Sequence, residues 1–134
     1  MTDQEQTPAW ATYGLDQAIV EGWVRRTHGD KVFENKLERA RRVLEEAIEL
    51  YQTEGGSAAE ATKITQVVFG KKPDPLNREI GGVGVTLLAL CAAHEVRLDS
   101  IVKTEIERIV SGDKERFRSK QRGKADLGIG ERPE

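Results

Sequence analysis

A long amphipathic pattern between Asn35 and Thr53 limits the possible folds of this chain more than any other stretch. Apolar residues recur there every three or four positions, at Leu37, Ala40, Leu44, Ala47, Ile48 and Tyr51. This spacing places them along one side of an α-helix, and Gly55-Gly56 supplies a typical helix end. No segment of the chain shows the strict alternation of a β-strand. The pattern therefore predicts an all-helical protein.

Four further helices are predicted from the same periodicity and from their end signals. Ser57 followed by Glu60 forms a capping-box pattern, and Asp74-Pro75 is typical of a helix start. These helices span about residues 15–26, 57–69, 75–92 and 98–110. The helix at 75–92 is apolar on nearly all sides, so we expect it at the centre of an all-α bundle of four to five helices.

The length of 134 residues suits one compact domain. We expect a flexible N-terminal segment at 1–12, a helical domain at 13–111 and a basic tail at 112–134. The tail is predicted to be partly helical as far as Arg122 and disordered from Ala125, because it becomes polar and rich in glycine.

Charge and cysteine content exclude several classes of protein. With 21 basic and 23 acidic residues, the chain has a net charge of -2, which argues against nucleic acid or an anionic membrane as a partner. Residues 114–122 are basic but offer only Phe117 for stacking on bases. The apolar run 80–93 is too short and too rich in glycine for a membrane span. The single cysteine, Cys91, allows no intramolecular disulfide, which favours a reduced, cytoplasmic setting.

Three glutamates, Glu45, Glu46 and Glu49, fall on one side of the helix at 35–53, beside its apolar stripe. Clustered carboxylates facing another acidic helix can hold Mg²⁺ against a polyphosphate. A second explanation is a solvated ladder of ion pairs between residues four positions apart. The pairs of that ladder are Glu38 with Arg42, Arg41 with Glu45, and Arg42 with Glu46.

Glu79 lies near the start of the apolar helix at 75–92. A carboxylate in the first helical turn is also favoured by the helix dipole. Gly81, Gly82 and Gly84 follow, and each costs about 0.8–1 kcal/mol relative to alanine inside a helix. Either another helix approaches closely at these glycines, or a ligand lies against the exposed backbone.

Together these motifs resemble the MazG-like all-α nucleoside triphosphate pyrophosphohydrolases. Their signature, EExxE followed by ExxD, is similar to Glu45-Glu46-Ala47-Ile48-Glu49 and then Glu79-Ile80-Gly81-Gly82. The resemblance covers about residues 37–109. This chain departs from the pattern at Gly82, where the family has an aspartate, and the interval between the two motifs is slightly long.

The resemblance implies that Glu45, Glu46, Glu49 and Glu79 bind Mg²⁺, with Mn²⁺ as an alternative, and that Glu46 activates the attacking water. It implies hydrolysis of a nucleoside triphosphate to the monophosphate and pyrophosphate, by a dimer or tetramer.

Four other residues are candidates for contact with the substrate. Arg42, Lys120 and Arg122 could neutralise phosphate. Trp23 could stack on the base, although its helical spacing from Ile19 also fits a core aromatic. Because Gly82 removes one carboxylate, the alternative is a catalytically reduced helical scaffold that senses nucleotides or binds other proteins.

Overall fold

A computed structural model describes residues 7–134 of the chain. Residues 1–6, which belong to the predicted flexible segment 1–12, lie outside the described residues. The described part contains eight α-helices and no β-strand, which confirms the all-α prediction. The helices are α1 (Ala9–Tyr13), α2 (Leu15–His28), α3 (Asp30–Glu34), α4 (Lys36–Thr53), α5 (Ala58–Phe69), α6 (Leu76–Ala93), α7 (Leu98–Val110) and α8 (Lys114–Asp126).

The predicted count of four to five helices is wrong, because the described residues form eight. The additional helices include α1 and α3, each only five residues long and therefore too short to show a helical period in the sequence. Gly14 and Gly29 separate α1, α2 and α3 with φ angles of +90° and +100°. This backbone region favours glycine, because a Cβ atom is strained there.

The chain forms two compact units. The terminal unit comprises the residues up to Val43 together with Lys103–Glu134, and the middle unit comprises Leu44–Val102. In the terminal unit, α2 packs against α1, α3 and α8. Its apolar core is small, with Val24 and Val32 buried.

The middle unit contains the second part of α4, all of α5 and α6, and the first part of α7. Ser57 caps α5 by accepting a hydrogen bond from the backbone N–H of Glu60 at 3.2 Å, as the capping pattern predicted. At the ends of α4 and α6, Nε2 of His94 lies 2.5 Å from a carboxylate oxygen of Glu54. No residue of this unit is buried.

The prediction that α6 lies at the centre of a bundle is wrong for the single chain. None of its residues is buried, and large apolar side chains such as Val83 and Leu88 are 51% and 56% exposed. The physical reason is that the described chain covers this helix only in part, with Gly84, Leu87, Leu90 and Cys91 half-buried. By length and composition alone, α6 could also cross a membrane, a test that the core helices of soluble proteins pass as well.

The C-terminal region differs from the disorder predicted for residues 125–134. The helix α8 continues to Asp126, and the residues after it return to the terminal unit. The backbone N–H of Glu134, for example, donates to the carbonyl oxygen of His28 at 2.9 Å. Composition alone did not indicate this, because the partners of the segment lie about a hundred positions earlier in the chain.

Candidate functional site

The predicted metal ligands of the first motif lie in the middle unit on α4. Glu46 and Glu49 are exposed, and Glu45 is half-buried. Residues three and four positions apart on a helix have Cβ atoms about 5–6 Å apart. Glu49 is therefore a close neighbour of both Glu45 and Glu46, as the helical pattern predicted.

The ion-pair ladder is formed only in part. Arg42 Nε lies 3.3 Å from a carboxylate oxygen of Glu38, as the ladder explanation predicted. Within the described residues, however, the Glu46 and Glu49 carboxylates take part in no ion pair and no hydrogen bond. Charge pairing therefore accounts for Glu38, although that carboxylate is buried and not solvated, and it leaves the Glu46 and Glu49 carboxylates available to an external cation.

Glu79 of the second motif forms a hydrogen bond with the backbone just before α6. One of its carboxylate oxygens accepts a hydrogen bond from the backbone N–H of Asp74 at 2.9 Å. This contact satisfies a backbone donor just before the helix, and the negative charge lies at the favourable end of the helix dipole. Glu79 thus lies in the first turn of α6, the position for which the helix dipole was the alternative explanation.

The glycines of α6 are open within the chain. A Cβ atom built on Gly81, Gly82 or Gly84 would meet no other atom within 4 Å. Neither of the two explanations predicted for them, a closely packed helix or a ligand, is therefore supplied by the described residues. These residues also contain no group of three or more His, Cys, Asp or Glu side chains that could hold a metal ion.

The four predicted substrate-binding residues all belong to the terminal unit. Trp23 is half-buried and makes edge-to-face contacts with His28 and Phe117, at centroid distances of 5.8 and 5.1 Å. These contacts are those of a core aromatic, the alternative predicted for Trp23. Arg122 forms an ion pair with Glu115, and Lys120 is exposed.

The terminal unit contains a buried carboxylate, Glu38, for which the sequence pattern predicted only membership of the ion-pair ladder. Its side chain is 0% exposed. Its oxygens accept hydrogen bonds from Gln121 Nε2 at 2.7 Å and from the backbone N–H of Glu131 at 3.0 Å. Three guanidinium groups lie 3.3–3.7 Å from it, those of Arg39, Arg41 and Arg42.

One signal in the sequence could have located Glu38. The pattern Asn35-x-x-Glu38 resembles a capping box, and Asn35 Oδ1 does accept a hydrogen bond from the Glu38 N–H at 3.0 Å. This pattern places Glu38 in the first turn of α4, where a carboxylate is favoured. It does not predict burial, which depends on Gln121 and Glu131 from the other end of the chain.

Five cations surround Glu38 or the neighbouring His28, and we call them the basic cluster: Arg39, Arg41, Arg42, Arg118 and Lys124. The pKa of His28 is lowered from 6.5 to about 4, chiefly by burial and also by the positive charges of Arg39, Arg118 and Lys124. Burial also lowers the pKa of Arg39. Both effects show that cationic groups here are partly removed from water.

In comparisons with protein-family models, with curated proteins and with solved structures, nothing matches this chain. The resemblance to the MazG-like pyrophosphohydrolases thus rests on the two acidic motifs and their order along the chain.

Proposed function

We propose that this protein is a metal-dependent nucleotide pyrophosphohydrolase that converts a nucleoside triphosphate to the monophosphate and pyrophosphate. The observation that carries the proposal is the state of Glu46 and Glu49. They lie three positions apart on α4, both are exposed, and neither forms an ion pair within the described chain. Arginines lie close to them in the sequence, yet neither carboxylate pairs with one in the described chain. We therefore infer that their partner is an external cation.

The donor atoms fit Mg²⁺, with Mn²⁺ as the alternative. Mg²⁺ prefers oxygen ligands and is usually bound in nucleotide sites by one or two carboxylates, with water and substrate phosphates completing its shell. Glu46 and Glu49 meet this requirement, and Glu45 lies beside them on the same helix. A bound ion would neutralise phosphate charge and lower the pKa of a coordinated water.

Each predicted residue has a role in this proposal. Glu45, Glu46 and Glu49 would supply carboxylate oxygens to the ion, and Glu46 would also accept a proton from the attacking water as a general base. Glu79 contributes the carboxylate oxygen that is not bonded to the Asp74 N–H. The predicted contacts with substrate stay predictions; they involve Arg42, Lys120, Arg122 and Trp23.

We also propose that the protein works as a homo-oligomer, a dimer or a tetramer, assembled through the middle unit. This unit has no buried residue although it carries many large apolar side chains. A helical segment without a core is not stable in water by itself, because burial of apolar surface is the main stabilising term. A second copy of α6 is a suitable cover, since its glycines permit close approach. No membrane is required, and a cytoplasmic location stays a prediction.

The alternative function is a catalytically reduced scaffold that senses nucleotides or binds proteins. Gly82 favours it, because the resembled family has a metal-binding aspartate at this position. The absence of a three-residue metal group among the described residues also favours it. Both observations concern the number of carboxylates in the site, so an activity measurement separates the two functions.

The deciding experiment is a screen of pyrophosphate release from ribo- and deoxyribonucleoside triphosphates with Mg²⁺ or Mn²⁺. We expect Glu49→Gln to lower turnover by about tenfold to 100-fold, because it removes a metal ligand. Glu107→Gln is the matched control, since Glu107 is an exposed helical glutamate of α7 outside both motifs. Circular dichroism verifies folding. No release by the wild type, or equal release by Glu49→Gln, would contradict the enzymatic proposal.

Gly82→Asp tests whether the missing carboxylate limits the reaction. Within the chain, nothing lies within 4 Å of a Cβ atom at Gly82, so the described residues offer no steric obstacle. We expect turnover to increase if the metal site accepts the added ligand. A wild type without activity and a Gly82→Asp variant with activity would identify the natural chain as the reduced scaffold.

A further inference from the structure

The C-terminal segment Ile129–Glu134 is held in the terminal unit by hydrogen bonds to three helices. Three backbone N–H groups donate from the segment. That of Ile129 donates to the carbonyl of Lys124 at 3.0 Å, that of Glu131 to Glu38 at 3.0 Å, and that of Glu134 to the carbonyl of His28 at 2.9 Å. The Arg132 side chain also donates, to Asp126. A further set of hydrogen bonds runs in the opposite direction, from side-chain donors of the unit to oxygen atoms of the segment.

Four side chains form this donor array, and each bonds to a different oxygen atom of the segment. Asn35 Nδ2 donates to the Glu131 carboxylate at 2.7 Å, and Gln121 Nε2 donates to the Glu131 carbonyl at 2.7 Å. Arg42 donates to the carbonyl of Ile129, and Arg118 donates to the carbonyl of Glu134. The array therefore recognises acceptor oxygens only, the type of atom that a phosphate group presents on every side.

The charges around the array are unbalanced. The basic cluster carries five positive charges, whereas Glu38 is the one carboxylate buried within it, and Glu131 and Glu134 come from the segment itself. If the segment leaves, its two acidic side chains and its one basic side chain, Arg132, leave with it, so that the site loses more negative than positive charge. Partly buried cations attract anions more strongly than exposed ones, because water screens them less.

Two buried nitrogen atoms near the array are also unsatisfied. Among the described residues, Nδ1 of His28 and Nε of Arg39 have no hydrogen-bond partner. Such groups cost free energy when they are removed from water without a partner. A ligand with more acceptor oxygens than the segment offers could satisfy them.

We propose that Asn35, Arg42, Arg118 and Gln121 form a binding site for a phosphate-type oxyanion, and that the acidic C-terminal segment occupies this site until such a ligand displaces it. Its donors belong to the terminal unit and require no divalent cation, whereas the proposed metal ligands belong to the middle unit. The proposal does not rest on the proposed enzymatic function.

The packing of the segment provides a way to loosen it without removing a charge. A Cβ atom at Gly130 would lie 2.9 Å from Lys124 Cβ and 3.3 Å from Gln121 Nε2. Real Cβ atoms do not approach a neighbour's Cβ so closely, so a larger residue at 130 must push the segment away from α8. Gly130→Val therefore tests displacement by sterics, and Glu131→Gln tests it by charge.

The experiment is titration of the full chain with inorganic pyrophosphate, in EDTA and 150 mM NaCl, which excludes the metal site and screens weak surface binding. Calorimetry measures affinity, and hydrogen exchange measures protection of the Glu131 and Glu134 amides. We expect pyrophosphate to speed exchange of both amides in the wild type. We expect Glu131→Gln and Gly130→Val to bind about three- to tenfold more tightly, because the competing segment is weakened.

Two further variants make the outcome specific. Arg118→Gln added to Glu131→Gln should abolish the gain in affinity, whereas Arg116→Gln, which removes an exposed cation of the same helix, should preserve it. Glu49→Gln should leave pyrophosphate binding unchanged, so a failure of the enzymatic proposal is distinguishable from a failure of this one. Equal affinities of the wild type, Glu131→Gln and Gly130→Val would overturn the proposal. Binding that leaves both amides protected, or no binding at all, would also overturn it.

Discussion

Glu38 shows how a single carboxylate can be removed completely from water. Two hydrogen bonds and three guanidinium groups compensate for its lost hydration. A buried charge that loses its partner is strongly destabilising, because the remaining charges keep their desolvation cost. Glu38 thus links the start of α4 to α8 and to the C-terminal segment.

We expect Glu38→Gln to lower the free energy of unfolding by about 2–4 kcal/mol, because it leaves three arginines without their carboxylate. Urea denaturation followed by circular dichroism measures this change. Glu107→Gln should change the same quantity by less than about 0.5 kcal/mol, as is usual for exposed sites. Equal stability of the two variants would show that the Glu38 network contributes nothing.

His28 should make stability depend on pH. Its pKa is about 4 in the folded chain and 6.5 when unperturbed, so the unfolded chain binds the proton more readily. The stabilising contribution is therefore fully present above pH 6.5 and is lost as the pH falls toward 4, by about 1–2 kcal/mol. His28→Gln should flatten the pH dependence of unfolding in this window. An unchanged profile would contradict the buried, neutral state of the imidazole.

Among the helices, α6 differs most from its expected surroundings. Its composition predicts burial, yet none of its residues is buried in the single chain. Ile80, Gly84 and Leu88 lie four residues apart and share one face of the helix. An apolar face with a glycine at its middle is suited to close packing against another helix.

Gly84→Ala tests whether α6 is exposed to water at Gly84 or packs there against another helix. In an open helix, alanine is more stable than glycine by about 0.5–1 kcal/mol. Gly123→Ala on α8 is the matched control, because Gly123 also has nothing within 4 Å of an added Cβ atom. We expect Gly123→Ala to raise the melting temperature, and Gly84→Ala to lower the oligomer fraction in sedimentation. Stabilisation by both variants, without loss of oligomer, would indicate that no helix packs at Gly84.

For the whole molecule, the main unfavourable contribution to the free energy of folding is the apolar surface that the middle unit leaves exposed to water. Phe69 is 85% exposed, and similar side chains occur on every helix of this unit. Exposed patches of this kind mark interaction surfaces. The proposed homo-oligomer would bury this apolar surface against a second copy of the chain, without another partner.

Leu88→Arg should therefore reduce the mass measured by light scattering at micromolar concentration, since it places a charge in the proposed contact. It should also lower the melting temperature, which for the wild type should rise with protein concentration. Leu127→Arg is the control, because Leu127 is 77% exposed in the terminal unit. A wild type that is monomeric at all concentrations would contradict assembly through the middle unit.

Local signals predicted much of the helical structure. The predicted helix at 98–110 matches α7 at both ends, and the Ser57 cap forms as predicted. By contrast, α1 and α3 were not predicted, because five residues contain little more than one turn. Of the candidate site, the sequence predicted that Glu45, Glu46 and Glu49 share a side of α4, which follows from helical spacing alone.

The sequence by itself determined the positions of the longer helices, because caps, glycines and apolar spacing act within a few positions of each other. Only the tertiary structure decided that Glu38 is buried and that Ile129–Glu134 binds to the terminal unit. It also decided that Glu46 and Glu49 form no ion pair with any residue in 7–134. These features depend on which distant groups meet in space, and electrostatic or hydrogen-bonding partners nearly a hundred residues apart leave no periodic trace along the chain.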